Sequence, residues 1–381
     1  MMKVLIHGFY GAGNAGDDAI LHSIINTLKD LDKEVEVTVT TRSNNISAYY
    51  DQENTTSILG SDIKGITSKL KDCNLLIVGG GGLFQDYNSF SPENIFINQQ
   101  GALNYYSYPI ILAKMLNVKT MLYAVGIGPL YQEDSKQTMR WIAEIADNIT
   151  VRDTYSYELL RKLGVTKHVL AADPAIKLPS KLSTVAKKLT KNSPNELNIG
   201  LNMRNWSYAE EELIKIQGNL LNYLNSIANK YAIKYYIMPF NKLPSEVKKA
   251  KELAELLNGN AEVITYDNSP ERYKYVCGKL DLMIAMRLHA SIFAIYEGVP
   301  SIGISYDGKV GQFFNELQLN DYCFEFNNPN YDKLYEKIED CLKRPTFHKK
   351  IQQNKRKGLI EREDNNRKSL IEICELNSND K

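Results

Sequence analysis

Residues 285–290 read AMRLHA and residues 297–309 read EGVPSIGISYDGK, and these two stretches decide the fold. Arg287 and His289 occupy the predicted start of a short apolar helix, and the strand that follows ends in a loop carrying Lys309. Parallel α/β sheets bind ligands at the carboxyl ends of their strands, where these three side chains are expected to lie. Arg287 and Lys309 stay positively charged at neutral pH, and His289 can transfer a proton. The pattern indicates a site for a small, multiply charged anion that needs acid–base help.

The composition is that of a globular protein with balanced charge. The chain has 381 residues, of which 43% are hydrophobic, and its formal net charge is +1. This length predicts two domains, and the balanced charge argues against a general nucleic-acid binder. The five cysteines are scattered without zinc or CxxC spacing, so we expect no metal site and a reducing compartment. No leader pattern or long apolar run is seen, so we expect a soluble, cytoplasmic protein that still permits peripheral contact with a membrane.

Apolar strand patterns alternate with helical patterns in both halves of the chain, which is typical of parallel α/β sheets. A polar, proline-marked segment at 178–196 interrupts the alternation, and we interpret it as a linker. The sequence therefore predicts an N-terminal domain at 1–177, a C-terminal domain at 197–345 and a helical tail at 346–381. Two similar α/β domains are expected to hold their ligands in a central cleft.

The first predicted strand runs into a glycine-rich turn, residues 8–20, which read GFYGAGNAGDDAI. Residues 11–16 match the dinucleotide fingerprint GxGxxG. Two features weaken a nicotinamide interpretation: the carboxylates of Asp17 and Asp18 fall where a pyrophosphate would bind, and the second strand ends at Arg42 without a ribose-binding acid. A tight turn that simply requires glycine, or a loop that lines the cleft near a neutral sugar, are the alternatives.

Two further glycine-rich segments follow predicted strands. Residues 79–86 read GGGGLFQD after the apolar run at 75–78, and residues 123–129 read YAVGIGP. Glycine lets backbone N–H groups approach a ligand closely, so we expect these loops to line a binding rim. No P-loop is present, so nucleotide triphosphate hydrolysis is not indicated.

In this order, the segments at 8–20, 79–86, 287–290 and 303–307 resemble the polysaccharide pyruvyl transferases. The closest likeness is to the bacterial type that modifies secondary cell-wall polysaccharides, and it runs from residue 2 to about residue 320. The resemblance implies two Rossmann-like domains arranged as in GT-B glycosyltransferases, with the acceptor on the N-terminal side and the donor on the C-terminal side. It implies phosphoenolpyruvate as the donor substrate, no cofactor, and a ketal-linked pyruvate on a sugar as the product.

The resemblance also implies residue roles. Arg287 and His289 match the family's anion-binding Arg-x-His pair, Lys309 stands where the family has a basic residue, and Arg152 and Arg204 match two further basic positions. The Gly308 spacer before Lys309 departs from the family pattern and leaves the direction of that side chain open. The loops supply the other expected substrate-binding residues, which are Gly11, Gly13, Asn14, Gly81, Gly82, Gln85, Asp86 and Tyr306.

Phosphoenolpyruvate carries about three negative charges, and guanidinium groups bind carboxylate and phosphate bidentately. Transfer needs a proton on the donor methylene group, and we expect His289 to supply it or to contact the phosphate. Asp17, Asp86 and Asp173 are candidates for the base that receives a hydroxyl proton, with Asp17 as the catalytic choice. The family likeness suggests a lipid-linked acceptor such as β-N-acetylmannosamine at the inner face of the membrane.

Structural alternatives exist for the main candidates. Arg287 could be neutralised by a carboxylate, His289 could merely pack at a helix start, and Lys309 could be a solvated loop residue. Arg152 and Arg204 could form ion pairs that contribute little.

Two other functions are compatible with the same sequence pattern. A GT-B glycosyltransferase would bind a nucleotide sugar and would need a ribose-binding acid, for which Glu297 is the candidate. A non-enzymatic protein could carry an anionic sugar in the same cleft. Trp206 with Tyr208 could stack on a sugar or pack between domains.

Overall fold

The chain divides into two units, each built on a parallel sheet. Unit 1 comprises Met1–Ala12, Asp17–Leu178 and Leu359–Lys381, and unit 2 comprises Gly13–Gly16 and Pro179–Gly358. The structure is a computed structural model, which describes residues 1–42, 54–87, 90–97, 101–204, 210–228, 230–258, 260–327 and 329–379. Trp206 and Tyr208 lie outside the described residues.

Unit 1 contains a seven-stranded parallel sheet in the order β3-β2-β1-β4-β5-β6-β7. The central strands bury residues such as Leu5, Leu76 and Leu122 completely, as expected for a parallel sheet covered on both faces by helices. Its elements are β1 (Lys3–His7), α1 (Ala15–Leu31), β2 (Glu36–Thr41), β3 (Thr55–Leu59), α2 (Ile63–Lys71), β4 (Leu75–Phe84), α3 (Ala102–Met115), β5 (Lys119–Ile127), α4 (Glu133–Ile145), β6 (Asn148–Val151), α5 (Thr154–Lys162) and β7 (Val169–Leu170).

The four-glycine segment is part of strand β4, so the prediction of a loop after residue 78 is wrong. Gly81 and Gly82 pair with Val125 and Gly126 of β5. Gly80 has a φ of +64°, and a Cβ atom there would lie 1.8 Å from Cγ2 of Ile20 on α1. The glycines therefore serve a close approach of helix to strand, and much of their backbone is committed to the sheet rather than presented to a ligand.

Unit 2 contains a six-stranded parallel sheet in the order β10-β9-β8-β11-β12-β13. In both units the chain starts in mid-sheet, builds strands to one side and then to the other, which is the Rossmann strand order. The prediction of two Rossmann-like α/β domains is confirmed. The elements are β8 (Leu197–Asn202), α6 (Glu210–Ala228), β9 (Ile233–Ile237), α7 (Pro244–Glu255), β10 (Ala261–Val263), α8 (Pro270–Cys277), β11 (Leu282–Ala285), α9 (Leu288–Tyr296), β12 (Ser301–Ser305), α10 (Lys309–Glu316), β13 (Cys323–Glu325), α11 (Tyr331–Lys343) and α12 (Pro345–Lys355).

The C-terminal helices are shared between the two units. Helix α12 belongs to unit 2, where the side-chain amide of Gln352 makes two hydrogen bonds of 2.9 Å to the backbone of Ser301. Helix α13 (Lys357–Asn379) lies mostly with unit 1, where Asn366 donates to the carbonyl of Ala172 at 2.9 Å. Among the described residues, no helix has both the length and the apolar character needed to cross a bilayer.

Candidate active site

The carboxyl edge of the unit 2 sheet gathers the basic residues of that unit that the sequence singled out. The strand order reverses between β8 and β11, and ligands of such sheets bind at this switch point. Arg204 follows β8, and Arg287 follows β11. Lys309 opens α10 just after β12. The order of elements along the chain thus brings three cationic residues to adjacent strand ends.

Arg287 is fixed from two sides. Its backbone N–H donates to Oδ1 of Asn202 at 2.9 Å, and its guanidinium Nη2 forms an ion pair with Oε1 of Glu246. The Arg287 side chain is 14% exposed and that of Glu246 is 7% exposed. The buried Nε of Arg287 has no hydrogen-bond partner among the described residues, and neither has Oε2 of Glu246. Arg287 therefore pairs with a carboxylate, which is the structural alternative given above. It still has an N–H donor, Nε, to which an anionic ligand could bind.

Sequence reasoning missed Glu246. It lies in the first turn of α7, just after Pro244, where an acidic side chain is favoured by the helix dipole. Glu246 differs from a surface acid in being buried, and the sequence of α7 does not reveal this burial. Asn202, the last residue of β8, was also missed.

Tyr306 connects Arg204 to the rest of this edge. Nη1 of Arg204 donates to the Tyr306 hydroxyl at 2.5 Å, and the guanidinium carbon lies 4.8 Å from the centre of the Tyr306 ring. Burial raises the pKa of Tyr306 to about 12, and the charge of Asp307 adds to this rise, while Arg204 and Arg287 oppose it. Tyr306 therefore stays protonated at neutral pH and holds Arg204 in place.

Lys309 is oriented by the turn before it. Gly308 has a φ of +79°, a left-handed conformation that glycine adopts without strain, and it caps α10. The backbone N–H of Lys309 donates to Oδ1 of Asp307 at 3.2 Å, and its Nζ lies 3.8 Å from Oδ2 of the same carboxylate. The spacer thus turns the chain directly into the helix and places the ammonium group beside a carboxylate at the sheet edge.

The glycine fingerprint positions His289. Residues 13–16 belong to unit 2, where Ala15 N–H donates to the carbonyl of Phe240 at 2.9 Å and Lys242 N–H donates to the carbonyl of Gly13 at 3.0 Å. A Cβ atom on Gly16 would lie 2.1 Å from Nδ1 of His289. The imidazole therefore lies directly against the Gly16 backbone, and only glycine leaves room for it.

Gly13 and Asn14 shape the same turn. Gly13 has a φ of +68°, and a Cβ atom there would lie 3.0 Å from Cβ of Lys242. Oδ1 of Asn14 accepts a hydrogen bond of 3.0 Å from the backbone N–H of Gly16. These contacts explain the second and third glycines of the fingerprint by packing in unit 2, so the motif does not require a nicotinamide site.

On the expectation that His289 donates the proton, replacing Gly16 by alanine should lower turnover about 10–100-fold while affinity for the expected donor changes little, because a methyl group displaces the His289 ring and a small misplacement of a proton donor is costly. The measurement is steady-state phosphate release. The matched control is Gly218→Ala, at a position on α6 where a Cβ meets nothing within 4 Å. The control should keep full activity and gain about 0.5–1 kcal/mol of stability. Equal activity of both variants would remove His289 from the catalytic site.

In unit 1, Arg152 is neutralised inside the protein. Its side chain is 6% exposed; Nη1 lies 3.2 Å from Oδ2 of Asp173, and Nε lies 3.4 Å from Oδ2 of Asp153. The two carboxylates also cap short helical segments, since Asp153 accepts from Ser156 N–H and Asp173 accepts from Ala175 N–H. These contacts support the structural alternative for Arg152 and occupy Asp173, one of the candidate bases.

Asp86 is likewise engaged. Its carboxylate accepts hydrogen bonds of 2.8–2.9 Å from the backbone N–H groups of Tyr131 and Gln132, and the residue is 4% exposed. It joins the end of β4 to the start of α4. This arrangement makes Asp86 a residue that holds a loop rather than a free base.

Replacing Asp86 by alanine is expected to destabilise the protein by about 2 kcal/mol, because the buried carboxylate is the acceptor for two part-buried backbone N–H groups. Equilibrium urea denaturation of the full chain measures this. Glu133→Ala, which removes a 70% exposed acid at the start of the same helix, should change stability by less than about 0.5 kcal/mol. Similar values for the two variants would contradict the assigned role.

The other unit 1 candidates lie around the switch point between β1 and β4. Asp17 is in the first turn of α1, and a Cβ on Gly81 would lie 3.3 Å from its Oδ1. Gly11 has a φ of +74° beside Thr41, and Oε1 of Gln85 accepts from Tyr87 N–H at 2.9 Å. Asp17 therefore lies next to the glycine segment of β4, and its role as the catalytic base stays a prediction.

This chain is similar in sequence to a described protein family and to one curated protein. The sequence model of the family described as polysaccharide pyruvyl transferase matches residues 14–308. A protein of Erwinia amylovora, amylovoran biosynthesis protein AmsJ, is 21% identical over 422 residues, covering 90% of this chain and 92% of its own.

Solved structures agree on the fold. The UDP-GlcNAc 2-epimerase of Neisseria meningitidis superposes with a TM-score of 0.64 at 13% identity, over 98% of this chain and 99% of its own. A glycosyltransferase of Rickettsia africae gives 0.60 at 14% identity, over 98% and 97%. At these identities the likeness extends to the fold alone.

Proposed function

Because the chain belongs to the polysaccharide pyruvyl transferase family, we propose that it transfers the pyruvyl group of phosphoenolpyruvate to two hydroxyl groups of a sugar. The product is a ketal, and phosphate is released. The acceptor we propose is a sugar of a lipid-linked polysaccharide precursor, such as β-N-acetylmannosamine. The observation that carries the proposal is the grouping of Arg204, Arg287, His289 and Lys309 around the switch point of unit 2.

The proposed donor is a small trianion, and the carboxyl edge of the unit 2 sheet carries cationic groups that can bind it. Arg287 supplies an Nε donor that no described residue pairs with, and the Arg204 guanidinium is held by Tyr306. Guanidinium groups bind carboxylate and phosphate in a planar, bidentate way, whereas the Lys309 ammonium acts as a point charge. Together they can hold both ends of phosphoenolpyruvate and stabilise the phosphate as it leaves.

The reaction balances without any other reactant. A proton is added to the methylene carbon of the donor, which becomes the methyl group, and positive character develops at the central carbon. One sugar hydroxyl attacks that carbon, the C–O bond to phosphate breaks, and the second hydroxyl closes the ketal. The two sugar hydroxyl groups release two protons. One returns to the acid that protonated the methylene carbon, and the other leaves with the phosphate. His289 is the acid that delivers the proton to the methylene carbon.

A nucleotide-sugar transferase is less well supported. Its ribose-binding acid would be Glu297, but this residue ends α9 at the opposite end from Arg287. Its carboxylate is directed to α8, where a Cβ on Gly278 would lie 3.0 Å from Oε2 of Glu297. The candidate acid is therefore remote from the basic edge.

The test is phosphate release from phosphoenolpyruvate, with and without a panel of aryl-linked sugars, followed by mass analysis of the sugar. Acceptor-dependent release together with a pyruvylated sugar is the expected result. Binding of UDP in the absence of any binding of phosphoenolpyruvate, both measured by calorimetry, would favour the nucleotide-sugar alternative instead.

A further inference from the structure

We propose that Tyr87, Tyr131 and Tyr155, at the carboxyl edge of the unit 1 sheet, form a stacking surface for a neutral hexose, which we call the tyrosine shelf. The inference rests on the proposed function, since the hexose would be the acceptor sugar. It adds the binding surface and the chemistry that recognises this substrate.

The topology brings the three tyrosines together. Tyr87 follows β4, Tyr131 follows β5, and Tyr155 lies in the first turn of α5 after β6. These three strands are neighbours in the sheet and all run parallel. The side chains are therefore presented side by side at the edge where α/β sheets bind ligands.

The shelf leaves aromatic faces in contact with solvent. Tyr131 is 68% exposed and Tyr155 is 43% exposed, so part of each ring is accessible to a ligand. The rings of Tyr87 and Tyr131 lie 6.4 Å apart at an angle of 64°. The exposed Tyr131 ring meets the partly exposed Tyr87 ring, and Tyr155 adds a second exposed ring at the same sheet edge. Such rings can pack on the apolar C–H face of a pyranose, while the phenol hydroxyls can bond its hydroxyl groups.

The backbone beneath these rings is rigidly held. Both carboxylate oxygens of Asp86 accept a hydrogen bond from the backbone N–H of Tyr131. The Tyr155 ring packs on Gly128, where a Cβ atom would lie 2.7 Å from its Cε1. Ser156, the next residue, accepts from Ile127 N–H at 2.8 Å. A fixed backbone under exposed rings lowers the entropic cost of binding a ligand.

Charge favours a neutral ligand here. Arg152, the basic residue that follows β6, is buried between Asp153 and Asp173 and so offers no net positive charge. The unit 2 edge carries Arg204, whose guanidinium donates to the neutral Tyr306 hydroxyl, and Arg287, whose Nε has no partner among the described residues. The anionic donor is thus matched to unit 2, and the tyrosine shelf is matched to an uncharged sugar.

The test measures sugar binding without any donor. Saturation-transfer NMR of the full chain with methyl glycosides of glucose, galactose, mannose and N-acetylmannosamine reports stacking directly. At least one glycoside should bind the wild type, and Tyr131→Ala/Tyr155→Ala should weaken its binding by about tenfold or more. Tyr131→Phe, which keeps the ring, should bind within about threefold of the wild type. Trp141→Ala removes another exposed aromatic side chain, 45% exposed on α4, and should leave binding unchanged.

Two results would overturn the tyrosine shelf: unchanged binding in the double alanine variant, or no saturation transfer to any glycoside in the wild type. Thermal unfolding of each variant establishes that the fold is intact. The readout does not depend on phosphoenolpyruvate. If the wild type binds a sugar through the tyrosines but releases no phosphate, the proposed reaction is wrong while the shelf stands.

Discussion

Replacing Arg287 by alanine is expected to raise the KM for phosphoenolpyruvate about 100-fold, with a smaller effect on turnover at saturating donor. The Arg287 side chain is 14% exposed, so solvent screens its charge only partly. A charge-assisted contact in such a site contributes about 3 kcal/mol, which corresponds to roughly 100-fold in affinity. Phosphate release measured across donor concentrations separates KM from turnover.

The Glu246 carboxylate must be taken into account in this experiment, because Arg287→Ala also changes stability. Arg287→Ala leaves the 7% exposed Glu246 carboxylate without its ion-pair partner, and breaking a buried pair in this way costs about 3–5 kcal/mol. The double variant Arg287→Ala/Glu246→Gln removes the stranded charge. We expect it to recover much of the stability measured by denaturation but none of the donor affinity.

A matched control excludes a general effect of lost charge. Arg272→Ala removes an arginine that is paired with Asp267 at 2.8 Å on the surface of the same unit, and it should leave the donor KM unchanged. If the double variant binds phosphoenolpyruvate as tightly as the wild type, Arg287 serves the fold alone and the anion site must be placed elsewhere.

Most of the basic edge of unit 2 could be predicted because three of its residues are close in sequence. Arg287 and His289 lie between β11 and β12, and Lys309 follows β12 at the start of α10, so their order along the chain fixes the sheet edge at which they lie. Glu246 could not be found in this way. It pairs with Arg287 across 41 positions, and such contacts depend on which helices cover which strands.

The errors in unit 1 have related causes. Strand β3 was not predicted because it is a half-exposed edge strand that begins with Thr55, Thr56 and Ser57, without an apolar run. Four consecutive glycines carry no strand propensity, and they extend β4 only because β5 lies alongside to pair with them. Arg152 has the sequence setting of a ligand-binding arginine, and its ion pairs with Asp153 and Asp173 could not be read from the sequence; its role in substrate binding stays a prediction.

His289 carries the other large expected effect. His289→Ala should lower turnover about 10²–10⁴-fold, the usual contribution of a general acid, and should change the donor KM by less than about threefold. His168→Ala, which removes a half-buried histidine of unit 1 bonded to the carbonyl of Tyr157, is the matched control and should keep full turnover. A loss of donor affinity without a loss of turnover would make His289 a phosphate-binding residue instead.

Gly16 gives an independent check on that assignment, because its only proposed effect runs through the His289 ring, which lies against it. Substitutions that act through the same group are not additive. The double variant Gly16→Ala/His289→Ala should therefore be no slower than His289→Ala alone. A further loss of turnover in the double variant would mean that residues 13–16 act on the reaction by a second route, such as direct contact of their backbone with a substrate.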